Sequence, residues 1–127
     1  MKKLFVSVPM KGRTKEEVFA STAKMKAIAE IYVGEQLELV DSYVLADPPA
    51  DSHKAIWYLA KALEKLSEAD LAIGIDDYEN WNGCAIEMHT AQCYGIKTYT
   101  VPAVHVIDNY SETLKASKAL KFTGQPA

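Results

Sequence analysis

Apolar residues along the chain fall into two alternating patterns, short continuous runs and longer stretches with helical spacing. The continuous runs contain many β-branched residues, which is typical of strands buried on both faces. Four such runs are present, over residues 4–8, 37–40, 71–75 and 98–101. Because a helical stretch separates each run from the next, we predict an α/β fold: an open, doubly wound parallel sheet of four or five strands with helices on both faces, flavodoxin-like or Rossmann-like.

The first helix has clear start and stop signals. Thr14 and Glu17 have the spacing of a capping box, and the helical pattern that follows stops at Gly34. Apolar residues recur at helical spacing between these limits, so we expect them to form the buried face. They are Val18, Phe19, Ala23, Ile28, Ile31 and Tyr32.

The same signals predict three further helices. They run from His53 to near Ala69, from Gly83 to Gly95, and from about Asn109 to Gly124 with Leu114 and Leu120 as apolar positions. Residues 104–107 are a candidate short fifth strand. Residues 41–52 include two adjacent prolines and are predicted to form the longest loop. No repeat or linker interrupts the pattern, so we interpret residues 1–127 as a single domain.

Composition and charge narrow the class of protein. The chain has 127 residues, of which 49% are hydrophobic and 24% charged, as in a globular domain rather than a disordered or collagenous chain. The net charge is -3 and no basic block is longer than two residues, so we expect no duplex nucleic acid as partner. No segment approaches the roughly 20 apolar residues that span a bilayer, and the first apolar stretch is too short for a signal peptide. We therefore expect no membrane partner and a cytoplasmic location.

Ligands of such sheets bind outside the carboxyl ends of the strands, which draws attention to the turn after the first strand. This turn, Pro9-Met10-Lys11-Gly12-Arg13, precedes the amino end of a helix, where many nucleotide-binding α/β proteins hold phosphate. Gly12 would let the backbone approach a ligand, and Arg13 could form a bidentate clamp on phosphate. The alternative is a plain tight turn with a solvated arginine.

A glutamate near the start of the third helix is the second candidate. Gly83 opens that helix, so Glu87 lies in its first turn or just beyond, near the positive end of the helix dipole. We expect an ionised carboxylate that points toward the strand ends. Such a group could attack an anomeric carbon or stabilise an oxocarbenium-like centre. The alternative is a glutamate that only balances the helix dipole.

Three short motifs follow one another along most of the chain, from Leu4 to about Val101. They are Phe5-Val6-Ser7-Val8-Pro9-Met10-Lys11-Gly12, Leu66-Ser67-Glu68-Ala69-Asp70, and Gly83-Cys84-Ala85-Ile86-Glu87 with Ala91 and Tyr94-Gly95-Ile96 after it. Together they resemble the nucleoside 2-deoxyribosyltransferase superfamily, most of all its small phage and bacterial members of uncertain function.

The resemblance implies an enzyme of nucleotide metabolism that cleaves the N-glycosidic bond of 2′-deoxynucleosides or their monophosphates. Glu87 matches the family's nucleophile, which forms a covalent deoxyribosyl ester, and transfer to another base or hydrolysis by water follows. No metal or organic cofactor is expected, because the leaving base and helix-end electrostatics carry the charge. The substrate-binding residues that we predict around Glu87 are Phe5, Ser7, Pro9, Met10, Gly12, Arg13, Asp76, Trp81, Asn82 and Gly83.

Some of these residues have a specific expected role. Met10 is a candidate apolar wall for a base, and Trp81 a candidate stacking surface. Two departures from the family pattern support an alternative function. Phe5 stands where the family has a tyrosine that orients the nucleophile, and Trp81 stands where it has an aspartate or serine. The alternative is a nucleotide-binding or nucleotide-sequestering protein without catalysis.

Cysteines and aromatic residues complete the candidate chemistry. Cys84, His89 and Cys93 share the third helix, but spacings of five and four residues do not align them on one face, so we expect no metal site. Cys84 at the start of a helix could be a nucleophile, but no histidine is within obvious reach, so we expect a buried or half-buried thiol there. The resemblance also implies a homo-oligomer, a dimer or higher, in which a neighbour completes the pocket. The pair Trp57-Tyr58 and residues 104–107 are the candidate interface.

Overall fold

The computed structural model describes residues 1–41, 43 and 46–119. In this part of the chain, four parallel strands form one sheet in the order β2-β1-β3-β4. The strands are β1 (Lys3–Ser7), β2 (Glu38–Val40), β3 (Leu71–Ile75) and β4 (Lys97–Val101). The helices are α1 (Lys15–Val33), α2 (Lys54–Leu66), α3 (Asn82–Cys93), α4 (Ala103–Val106) and α5 (Tyr110–Ala119), with one 3-10 turn at Tyr78–Asn80. The predicted parallel α/β fold is confirmed.

The sheet separates two layers of helices, and alternate strand residues face each layer. Leu4 and Val6 of β1 belong to a core cluster with Met25 of α1. Phe5, between them, belongs to a second cluster with Leu66 of α2. The parallel register places Ser7 beside Gly74 and Ile75 beside Val101, so the carboxyl ends of β1, β3 and β4 meet at one edge.

Helix α1 has the predicted ends and a different buried face. Thr14 and Glu17 form the capping box, and Gly34 ends the helix in the left-handed conformation with φ 81°. The buried residues are Val18, Ser21, Met25 and Ala29. Of the predicted face, Phe19, Ala23, Ile31 and Tyr32 are exposed. The prediction is confirmed for Val18 and wrong for these four residues. The buried stripe includes a polar residue, Ser21, whose hydroxyl donates to the Val106 carbonyl oxygen at 2.7 Å.

The candidate fifth strand was also predicted wrongly, since residues 103–106 form the short helix α4. One local and one long-range constraint favour a helix there. Pro102 occupies the N-cap position, and the Asp76 carboxylate accepts a hydrogen bond from the Ala103 backbone N–H at 3.0 Å. Val106 and Ile107 are buried, whereas Val104 and His105 are exposed. In the sheet that the structure describes, β4 is therefore an edge strand.

Other element predictions differ by a few residues. Helix α2 ends at Leu66, before the predicted limit at Ala69. The predicted positions Leu120 and Gly124 lie outside the described residues, as do residues 42, 44 and 45 of the predicted loop. Residues 46–52 form no helix or strand, in agreement with the prediction for that stretch. The Trp57 and Tyr58 rings pack edge to face with centroids 5.3 Å apart, and the homo-oligomer stays a prediction.

None of the helices in the described ranges is both long and apolar enough to cross a membrane.

Close packing between α3 and the sheet depends on one glycine. Gly74 lies in β3 beneath Met88, and a Cβ built on it would be 2.8 Å from the Met88 sulfur. Met88 is 1% exposed and has little free space to move into. Gly74 therefore sets the distance between α3 and the sheet, and with it the position of Glu87, the residue before Met88.

We predict that Gly74→Ala lowers the free energy of unfolding by about 1–3 kcal/mol, because the added methyl overpacks the layer between β3 and α3. Urea denaturation measures this. Met88→Ala creates a cavity at the same place, so the double variant should be more stable than the sum of the two single losses. If the losses of the two single variants add up exactly in the double variant, the predicted contact between position 74 and Met88 is contradicted.

Candidate active site

The carboxyl end of β1 brings Ser7 against Glu87 of α3. The Ser7 hydroxyl donates a hydrogen bond to Oε1 of Glu87 at 2.7 Å. Ser7 is fully buried, and Glu87 is half-buried. Strand alternation explains the direction of Ser7, since Phe5 two residues earlier faces the same layer of helices. The predicted nucleophile thus lies at the edge of the sheet where ligands of parallel α/β folds bind.

Burial dominates the electrostatics of this carboxyl group. It raises the pKa of Glu87 to about 7, and the hydrogen bond from Ser7 opposes the shift only in part. The sequence predicted a carboxylate held ionised by the helix dipole, and this is wrong. Helix α3 starts at Asn82 and has no acidic residue in its first turn, so Glu87 lies beyond the range in which the dipole acts strongly. Glu87 therefore exchanges between acid and carboxylate near neutral pH, as groups at functional sites often do.

The thiol of Cys84 lies one helical turn before Glu87. It is 2% exposed, and burial raises its pKa. The thiol is therefore protonated and a poor nucleophile, in agreement with the predicted buried cysteine. Cys93 is exposed. Across the residues that the structure describes, no group of three or more His, Cys, Asp or Glu side chains is arranged to hold a metal ion.

The turn between β1 and α1 is closed by Arg13. Its Nη1 donates to the Pro9 carbonyl oxygen at 2.9 Å, and its Nη2 donates to the Glu17 carbonyl oxygen at 3.2 Å and to Ser21 Oγ at 2.7 Å. Burial lowers the pKa of the guanidinium. Arg13 is half-buried, and these three hydrogen bonds brace the turn against α1. Gly12 occupies the left-handed region with φ 74°, which a glycine adopts without strain.

Trp81 lies inside the core, where it is 1% exposed. Its indole Nε1 donates to the Tyr110 hydroxyl at 2.9 Å, and that hydroxyl donates to the Asp77 carboxylate. Burial, with the bond to Asp77, raises the pKa of Tyr110, so the phenol stays protonated. In this structure Trp81 has no open face on which a base could stack, and the predicted stacking role is corrected.

A cleft of about 310 Å³ lies at the carboxyl ends of β3 and β4. Asp76, one of the predicted site residues, lines it, and its Oδ1 is bonded to the Ala103 N–H. The other lining residues are Asp77, Ala103, Val104 and Tyr110.

The remaining predicted site residues fall into two groups. Phe5 is 1% exposed and packs against α2 and α3. The prediction that it contacts substrate is therefore corrected, because its side chain is part of the core between the sheet and these helices. Pro9 and Gly83 are buried as well. Met10 is half-buried, and Gly12 and Asn82 are exposed at the sheet edge. Met10, Gly12, Asp76, Asn82 and Glu87 are therefore at least partly accessible, and of these five residues only Asp76 lines the cleft.

The sequence reasoning missed one contributor to the site, Tyr110, and gave another, Ser7, a different role. Tyr110 was not singled out, and no local pattern marks it, because its partner Trp81 is 29 residues away. Ser7 was placed among the substrate-binding residues, whereas the structure makes it the partner of Glu87. Strand alternation could have found that role, since Ser7 is the polar residue that shares a face with Phe5 at the end of the strand.

Comparisons with known proteins give no relative. No protein-family model matches the chain, and neither a curated protein nor a solved structure does. The resemblance to the deoxyribosyltransferase superfamily therefore stays a prediction from the sequence motifs.

We predict that Glu87 makes the protein less stable as pH rises. Its pKa is about 7 when folded and about 4.5 when unfolded, so the folded state holds the proton more tightly and stability falls between these two values. One pKa unit corresponds to about 1.4 kcal/mol, so the loss relative to Glu87→Gln should reach roughly 3–3.5 kcal/mol.

Urea denaturation at pH 4.5 and pH 8 tests this. Gln keeps an oxygen that can accept from Ser7 and never ionises, so Glu87→Gln should gain stability over the wild type at pH 8 only. Glu16→Gln, a change at an exposed glutamate in the first turn of α1, is the control. Equal pH dependence in the wild type and Glu87→Gln would refute the placement of Glu87.

Proposed function

We propose that this protein cleaves the N-glycosidic bond of 2′-deoxynucleosides or deoxynucleoside monophosphates, with Glu87 as the nucleophile. The observation that carries the proposal is the hydrogen bond from Ser7 to Glu87 at the carboxyl end of β1. It fixes a half-buried carboxyl group at the ligand-binding edge of the sheet. The sequence motifs that resemble the deoxyribosyltransferase superfamily support the same function.

The first step is attack by the ionised carboxylate. Ser7 engages Oε1, and Oε2 forms a bond to C1′ of the deoxyribose as the bond from C1′ to the base nitrogen breaks. The electron pair of that bond leaves with the base, which takes a proton from solvent. The product on the protein is a deoxyribosyl ester of Glu87.

The second step releases Glu87. Water, or the nitrogen of another base, attacks C1′, and the bond from C1′ to Oε2 breaks with its electron pair returning to the carboxylate. The attacking group loses its proton to solvent, so hydrolysis consumes one water and gives deoxyribose and free base. Low polarity around Glu87 makes its carboxylate a better nucleophile than one in water, because fewer hydrogen bonds must be broken before attack.

Polar groups on the loops that follow β1 and β3 support the binding of a small polar ligand. The cleft of about 310 Å³ at the ends of β3 and β4 is lined by Asp76, Asp77, Ala103, Val104 and Tyr110, and Glu87 is not among its lining residues. Asp76 and Asn82 supply polar groups for sugar hydroxyls or a base edge, and Met10 supplies an apolar surface. Because Ser7 pairs with Gly74, two residues before Asp76, Ser7 and Asp76 lie near the carboxyl ends of two neighbouring strands.

A second candidate function is nucleotide binding without catalysis. It is favoured by the burial of Trp81, which is bonded to Tyr110 and supplies no polar support to Glu87. In that case a deoxynucleotide would raise the melting temperature of the protein and no free base would appear.

We predict that Glu87→Ala abolishes base release from 2′-deoxynucleosides or their monophosphates, by about 10³-fold or more, because the attacking atom is removed. Chromatography of free base from a panel of the natural substrates measures this, and circular dichroism shows whether the variant is folded. Glu16→Gln, a change at an exposed carboxylate in the first turn of α1, is the control and should keep wild-type activity. Wild-type activity in Glu87→Ala would end the mechanism.

We also predict a pH effect of Ser7. In the wild type, kcat/KM should rise with pH through a midpoint near 7 as Glu87 ionises. The Ser7 hydrogen bond lowers the pKa of Glu87, so Ser7→Ala should move this midpoint to higher pH. The same variant should lower the maximal kcat/KM at high pH about tenfold, because the carboxylate is no longer held in one position. Ser7→Thr keeps a hydroxyl and should restore the midpoint. An unchanged midpoint in Ser7→Ala would show that Ser7 acts only through packing.

A further inference from the structure

We propose that Cys84 is a positioning residue for Glu87: its thiol donates to the Ser7 oxygen and thereby turns the Ser7 hydroxyl toward the Glu87 carboxyl group. This role rests on the proposed function, in which Glu87 is the nucleophile. Neither reaction step uses the thiol itself. Cys84 is 2% exposed, so it acts on the reaction only through the side chains that it contacts.

The thiol and the carboxyl group lie on neighbouring positions of α3. Cys84 and Glu87 are three residues apart, and residues with this spacing are neighbours on a helix surface. Ser7 approaches them from the carboxyl end of β1, and its hydroxyl donates to Oε1 of Glu87 at 2.7 Å. A hydrogen bond with Ser7 also opposes the effect of burial on the pKa of the Cys84 thiol. Ser7 therefore contacts both groups.

The direction of these two hydrogen bonds follows from the protons that are present. A hydroxyl has one O–H and two lone pairs, and a thiol has one S–H that is a weak donor. The O–H of Ser7 is used on Glu87. Burial raises the pKa of Cys84 and keeps its proton in place, so the S–H donates to a lone pair of Ser7 Oγ. A thiolate would instead compete with Glu87 for the single proton of Ser7.

Donation from the thiol has two consequences for Glu87. It fixes the rotation of the Ser7 hydroxyl, which otherwise turns to suit any acceptor. It also polarises the Ser7 O–H, because hydrogen bonds in a chain strengthen one another where the local dielectric constant is low. Both effects stabilise the ionised carboxylate in one position, and this is the form that attacks C1′ in the proposed function.

Three titratable groups interact with the thiol from the elements around it. Glu87 does so from the same helix, Arg13 from the turn between β1 and α1, and Tyr110 from α5. The guanidinium donates through both Nη atoms to the turn and to α1, and no described residue accepts from its buried Nε. All three groups are retained when Cys84 is replaced, so they are the same in every variant of the test.

The test follows the titration of Glu87 in the full chain by NMR of its ¹³C-labelled carboxyl group, assigned by comparison with Glu87→Gln. Cys84→Ala and Cys84→Val differ in size and both lack a donor. Each should raise the midpoint by roughly 0.2–0.5 pH unit, because the Ser7 O–H is no longer polarised. Cys84→Ser keeps a donor and should return the midpoint to the wild-type value. In a Ser7→Ala background, Cys84→Ala should leave the midpoint unchanged.

Kinetics on the natural 2′-deoxynucleosides and their monophosphates supply the second measurement. At high pH, where Glu87 is ionised, kcat of Cys84→Ala should fall about threefold with KM unchanged, because the loss is confined to the transition state. Cys84→Ser should restore kcat. A residue that only fills space in the core would respond to side-chain volume, so Val rather than Ser would restore activity.

Two results overturn the role of Cys84. One is an unchanged Glu87 midpoint in both Cys84→Ala and Cys84→Val, which would show that the thiol only fills space. The other is the same midpoint shift with and without Ser7, which would show that the thiol acts on Glu87 directly. The midpoints are measured without substrate, so they test the contact separately from the reaction. Absence of base release from the wild type ends the proposed function, and the role of Cys84 in catalysis with it.

Discussion

The contact between the Ser7 hydroxyl and the Glu87 carboxyl group joins residues 80 positions apart in the chain, and the candidate site is built on it. Three features make it possible. The parallel register of β1 and β3 sets Ser7 beside Gly74, the missing side chain of Gly74 lets Met88 settle on the sheet, and Glu87 is adjacent to Met88 in α3. A shift in any of these would move the carboxyl group away from the edge where ligands bind.

The same contact explains why the carboxyl group is reactive near neutral pH. Burial of a charge is unfavourable, and one neutral donor compensates for it only in part. Arg13 lies on the neighbouring turn, and its two Nη atoms donate to the backbone and to Ser21 rather than to Glu87. The chain thus uses its arginine to hold the shape of the turn and leaves Glu87 with a pKa of about 7.

Local signals were enough to predict the strands and the ends of α1. The strands are short apolar runs, and the capping box of Thr14 and Glu17 spans three residues, so both are visible in sequence. Features that depend on distant partners were not predictable in this way. Helix α4 starts at the residue whose N–H the Asp76 carboxylate caps, 27 positions earlier. The buried face of α1 was misassigned because Ser21 satisfies its hydroxyl on α4.

The candidate site also combines features that local sequence signals predict with features that depend on distant partners. Glu87 and the β1–α1 turn were identifiable from their places after the strands and from the motifs that contain them. The roles of Phe5, Trp81 and Arg13 could not be identified from the sequence, because each role depends on which residues pack around that side chain. Phe5 and Trp81 are buried by packing partners, and Arg13 finds its acceptors in the backbone of its own turn and helix.

A carboxyl group that titrates near pH 7 also makes the heat of ligand binding depend on the buffer. A ligand that covers Glu87 and removes water from it favours the neutral acid, so its association takes up a fraction of a proton from solution. The heat of binding then includes the ionisation enthalpy of the buffer. The binding enthalpy measured at one pH would differ between phosphate and Tris buffers, whereas the affinity would be the same. The enthalpy difference gives the number of protons that Glu87 takes up on binding.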